Sequence, residues 1–67
     1  MKYNTFGRNL RYQLALRNMT QRELCNKVHI EEAALSRYMS GTREPKISVV
    51  QNIAKALDIS IESLLGG

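Results

Sequence analysis

In 67 residues the chain has no tryptophan, one phenylalanine, one proline, one cysteine and one histidine, and each shortage closes off a class of protein. A lone cysteine cannot form an internal disulfide, so stability must come from packed apolar side chains rather than covalent staples. One cysteine and one histidine fall short of the four ligands of a structural zinc site, and the sequence implies neither metal nor other cofactor. His29 has no nucleophile or carboxylate pair near it in sequence, and a chain this short encloses no deep catalytic cavity, so no enzymatic activity is expected. No apolar run approaches the roughly 20 residues that span a bilayer. The N-terminal MKYNTFGRN lacks the apolar centre of a signal peptide, which points to a cytoplasmic protein. Strand-like alternation of apolar and polar residues is also missing.

What is present is positive charge and helical spacing. Ten Lys and Arg against six Asp and Glu give a net charge of +4, which favours a polyanionic partner such as nucleic acid. Turn and capping signals divide residues 1–67 into about five helices of one all-α domain. The first, capped by Asn4 or Thr5, runs to about Arg17 with Phe6, Leu10 and Leu14 along one flank, and Asn18 ends it. Thr20 followed by Glu23 is a capping box that starts a second helix at Gln21. A third runs from about Glu31 to Ser40, where Gly41 stops it and GTREPK makes a basic loop. Ser48 with Gln51 repeats the capping-box pattern before a fourth helix carrying Val50, Ile53, Ala54 and Leu57. Ser60 caps a last helix, Ile61 to Leu65, ended by Gly66. The expected core comprises these apolar flanks: Phe6, Leu10, Met19, Leu24, Cys25, Val28, Ile30, Leu35, Tyr38, Val50, Ile53, Ala54, Leu57, Ile59, Leu64 and Leu65.

Residues 21–40, QRELCNKVHIEEAALSRYMS, are the most informative stretch. Leu24, Cys25 and Val28 face Leu35 and Tyr38 across a short turn sealed by Ile30, which is the spacing of a helix-turn-helix. With Gln21, Glu23 and Leu24 at the start of its first helix, the motif resembles the phage-repressor family of Cro/CI, or Xre, type, and the likeness extends from Phe6 to Leu65. It implies a compact five-helix bundle whose second motif helix enters the DNA major groove. The chain departs from the family in places. Cys25 stands where Ala is commoner, and His29 stands where Gly is favoured; histidine visits the left-handed region more readily than most residues. Leu14 and Met39 replace an Arg and a Glu that often pair across the first and third helices, so an apolar contact is expected instead of a salt bridge.

The resemblance also implies roles. Glu32, Ala33, Ser36 and Arg37 fall at base-reading positions: Arg37 suits guanine O6 and N7, Glu32 a cytosine amino group, Ala33 a thymine methyl, and Ser36 either base type or a phosphate. Thr20, Gln21 and Arg22 on one side, with Ser40, Thr42, Arg43 and Lys46 on the other, are placed to hold phosphates. Arg8, Arg11 and Arg17 are read first as solvated helix-surface charge. Ile59, Ile61, Leu64 and Leu65 offer a patch for a homodimer on two half-sites one helical turn apart. The expected function is a nucleoid-associated transcriptional regulator, a repressor on a pseudo-palindromic operator. Glu31 and Glu32 keep a second class open, an antitoxin-like or regulatory module that binds a protein partner and holds DNA weakly. As an alternative use, two acids at the start of a helix favour its positive dipole end whatever the ligand.

Overall fold

The structure, a computed structural model, describes residues 5–66. Asn4, one of the two caps expected for the first helix, lies outside the described residues, as do positions 1–3 and Gly67. The described helices are α1 (Thr5–Leu16), α2 (Gln21–Val28), α3 (Glu32–Ser40), α4 (Ile47–Leu57) and α5 (Glu62–Leu65). The described residues are thus all-helical with five elements, the number expected from the sequence.

Helix ends follow local chemistry closely. The Thr20 hydroxyl accepts the Glu23 amide at 3.1 Å, while the Thr20 amide donates to Glu23 Oε1 at 2.8 Å, so both halves of the capping box are formed. Asn18 (φ 52°) ends α1 and His29 (φ 59°) ends α2, both in the left-handed region. Asp58 (φ 57°) does the same for α4, a stop that carries no glycine to announce it. After α3, Gly41 adopts φ 82°; its amide and that of Thr42 return to the carbonyls of Tyr38 and Arg37, a Schellman-type turn.

The fourth and fifth helices start differently from the pattern in the sequence. Ser48 does not cap α4: the helix starts at Ile47, and the Lys46 carbonyl takes the amides of Val49 and Val50 without any side-chain cap. A side-chain cap adds only about 1 kcal/mol, and the burial of Val50, Ile53, Ala54 and Leu57 outweighs it in setting the register. At α5 the Ser60 hydroxyl pairs with that of Ser63 at 3.1 Å rather than with an amide, and the helix begins at Glu62. Gly66 follows α5 because a Cβ there would stand 2.7 Å from the Glu62 carbonyl oxygen.

The helices bury one continuous core: Phe6, Leu10 and Leu14 from α1, Leu24 and Cys25 from α2, Leu35, Tyr38 and Met39 from α3, four residues of α4 and Leu64. Met19, Val28, Ile30 and Ile59 are half-buried against it. Leu65 is the exception among the expected core residues, 45% exposed because it lies a third of a turn from Leu64 on a four-residue helix with one inward face. Cys25 is buried, and burial, with a smaller contribution from the Glu32 carboxylate, pushes its thiol pKa up, so it serves as a small apolar filler.

Two long-range ties complete the bundle. Arg17 donates to the Leu57 carbonyl at 2.8 Å and to the backbone and side chain of Gln13, placing a cation at the C-terminal end of α4 where the helix dipole favours it. Asn9 Nδ2 donates to the carbonyls of Leu64 (2.9 Å) and Gly66 (2.7 Å), fastening α1 to the end of α5.

Two expected outcomes follow from this packing. His29→Gly relieves a left-handed side chain and raises stability by about 0.5 to 1 kcal/mol in chemical denaturation; a loss of stability would mean that the imidazole contributes something the backbone geometry does not reveal. Leu14→Ala and Met39→Ala each cost about 2 to 5 kcal/mol, and the double variant departs from additivity by at least about 0.5 kcal/mol, the coupling of an apolar contact between α1 and α3. Strict additivity would show that the two side chains do not share a contact.

Candidate nucleic-acid interface

Three inward side chains set the orientation of α3. Leu35, Tyr38 and Met39 are buried, so Glu32, Ala33, Ser36, Arg37 and Ser40 form an exposed stripe along the opposite side of the helix. The turn before it is short because His29, in the left-handed conformation, sends its amide back to the Cys25 carbonyl, where the Ile30 amide also ends at 3.1 Å. Glu31 follows in extended conformation, and its carbonyl receives the Leu35 amide, the first bond of α3. All four side chains singled out as base readers therefore share one outward helix face.

The residues singled out for phosphate sit at both ends of this stripe, and the structure gives several of them internal partners. Thr20 holds the capping box, and Gln21 is exposed at the start of α2. Arg22, one position on, donates from Nε to Glu32 Oε2 at 3.2 Å, an ion pair between α2 and α3 with 76% and 58% of the two side chains still exposed. Ser40 donates to the Arg37 carbonyl at 3.1 Å and its hydroxyl lies 2.9 Å from that of Thr42, so both hydroxyls help to close the turn after α3. Arg37, Arg43 and Lys46 are exposed and make no side-chain ion pair among the described residues. Arg17, read from sequence as surface charge, is instead the tie to α4, while Arg8 and Arg11 are exposed.

The proposed dimer patch is divided. Leu64 is fully buried and belongs to the core, so it has no surface to give a partner; Ile59 and Ile61 are half-buried, and Leu65 is exposed. Sequence reading passed over Tyr12 and Leu16, which lie four residues apart on α1 and are 63% and 62% exposed. Their spacing by four was the available signal, obscured by the stronger Phe6, Leu10 and Leu14 row.

An open concavity of about 330 Å³ lies between the end of α2 and α4, lined by Lys27, Val28, His29, Asn52, Lys55 and Ala56. Its two lysines sit in the last turns of their helices, where the dipole accounts for them. No described helix is long and apolar enough to cross a membrane, and the described residues contain no group of three potential metal ligands.

Comparison with known proteins identifies the family of the fold. A helix-turn-helix family model matches residues 10–64. An uncharacterized HTH-type transcriptional regulator of Bacillus subtilis (strain 168), YqaE, is 34% identical over 62 residues, which are 92% of this chain and 53% of that protein. The chain thus spans about half the length of the curated relative it matches. No solved structure matches it. The family match runs from the middle of α1 into α5, taking in every buried core residue except Phe6 and not the motif alone, and the chain belongs to the helix-turn-helix family.

Proposed function

We propose that the domain binds double-stranded DNA sequence-specifically, with α3 in the major groove, and regulates transcription as a homodimer that represses by occupying a pseudo-palindromic operator. The observation that carries this reading is the outward stripe Glu32, Ala33, Ser36 and Arg37, free of any part in the core and followed by Arg43 and Lys46, which make no ion pair among the described residues. A helix about 10 Å across fits the major groove, and the short side chains of Ala33 and Ser36 within the stripe let its backbone come close to the base edges. Arg37 is the only cation within the stripe and has the donor fork that matches guanine O6 and N7. Arg43 and Lys46, in the loop and at the start of α4, reach for phosphates on one side, with Gln21 and the free amides of α2 on the other. Ser40 and Thr42 act through the turn they close, holding that loop in place. The name of the Bacillus relative, a transcriptional regulator, supports the same role.

Selection of bound duplexes from a randomised pool at physiological salt tests the reading directly. Wild type enriches a two-fold motif, and Arg37→Ala loses a guanine preference worth about 1 to 3 kcal/mol. The log-log dependence of affinity on salt has a slope of about −4 to −5, from the release of counterions by about four to six neutralised phosphates. Lack of enrichment by wild type would turn the reading toward a protein partner.

Dimerisation is assigned to the exposed end of α5. Leu65→Lys, at a position outside the core, leaves the thermal midpoint within a few degrees of wild type and lowers occupancy of a two-half-site duplex more than of a single half-site. Equal losses on both duplexes would remove Leu65 from the interface.

A further inference from the structure

We infer that Arg22 works through Glu32 rather than on a phosphate: it is a positioning residue that holds the Glu32 carboxylate at the start of α3 as an acceptor for the exocyclic amino group of a cytosine. The inference rests on the reading that α3 lies in the major groove, and it changes the role that the resemblance gives to Arg22.

The ion pair is the starting point. Arg22 Nε meets Glu32 Oε2 at 3.2 Å across the motif, between the second residue of α2 and the first of α3. Glu32 makes no other hydrogen bond or ion pair among the described residues, and more than half of its side chain is exposed. Contact through one oxygen leaves the other available.

A bare carboxylate among phosphates is repelled unless a base donor meets it. Arg22 changes that balance by neutralising Glu32 before DNA arrives and by limiting its rotamers, so less side-chain freedom is lost on binding. A carboxylate only accepts hydrogen bonds. It therefore discriminates against guanine O6 and N7 and thymine O4, all acceptors, and favours the cytosine N4 amino group, whose own base carries no major-groove acceptor, whereas adenine sets N7 beside its N6 amino group. Ala33 beside it adds no polar group to blur that choice. The guanidinium, already matched in charge, adds little to counterion release.

Duplex selection and affinity titration with wild type, Arg22→Ala, Glu32→Ala, Arg22→Lys and the double Arg22→Ala/Glu32→Ala variant test this, with circular dichroism confirming that each exposed-site variant folds. Arg22→Ala loses about tenfold of a cytosine preference at one position per half-site, and the double variant loses no more than Glu32→Ala alone. Arg22→Lys, which keeps the charge, recovers part of the preference. The double variant retains the wild-type salt slope, because the pair it removes is neutral. If Arg22→Ala instead weakens all sequences alike, keeps the cytosine preference and lowers the slope by about one, Arg22 is a phosphate contact and the inference is overturned. A wild-type motif with no cytosine preference at that position also overturns it while leaving the major-groove reading intact; no wild-type motif at all removes both.

Discussion

The crossing of α2 and α3 depends on a reversal of direction at a single residue, His29, held in a left-handed conformation that side chains adopt only at a cost. The turn stays this tight because Cys25, beneath it, is small, and because both His29 and Ile30 end their amides on the Cys25 carbonyl. With the corner fixed, Leu35, Tyr38 and Met39 can reach the core only if α3 turns its other face to solvent. The exposed stripe is thus a geometric consequence of the buried one. Leu14 and Met39 strengthen the arrangement by joining α1 to the same core with apolar surface, where a buried ion pair would first have to overcome desolvation.

Charge on this surface is organised more closely than the net value suggests. Arg17 is drawn off to the end of α4, Lys27 and Lys55 sit in the last turns of their own helices, and Arg22 is matched by Glu32. The cations left without a protein partner around α3 are Arg37, Arg43 and Lys46. An exposed ion pair such as Arg22 with Glu32 adds at most about 1 kcal/mol to folding, so stability is a weak reason for having it. Its effect is on where the charges stand before any partner binds.

Much of this was readable in the chain because it depends on near neighbours. The capping box at Thr20 and Glu23, the stops at Asn18 and Gly41, and the outward face of α3 all follow from spacings of one to four residues. The same reasoning failed at Ser48, where the local signal was genuine but weaker than the burial of α4. It also could not separate Leu64 from Leu65, since a helix of four residues is too short to show a period. The roles of Asn9 and Arg17 were beyond it: each side chain meets a carbonyl 40 or more residues away, and nothing in the local pattern says which helix ends will come together.

That long reach has a consequence for how the domain opens. Asn9 joins α1 to carbonyls on either side of Leu65, so the first and last helices are tied to one another and release of α5 also breaks two hydrogen bonds to α1. Slow amide hydrogen exchange in the middle of α1 and at Leu64 then reports one shared opening event, and a four-residue helix too short to persist by itself takes its protection from the far end of the chain.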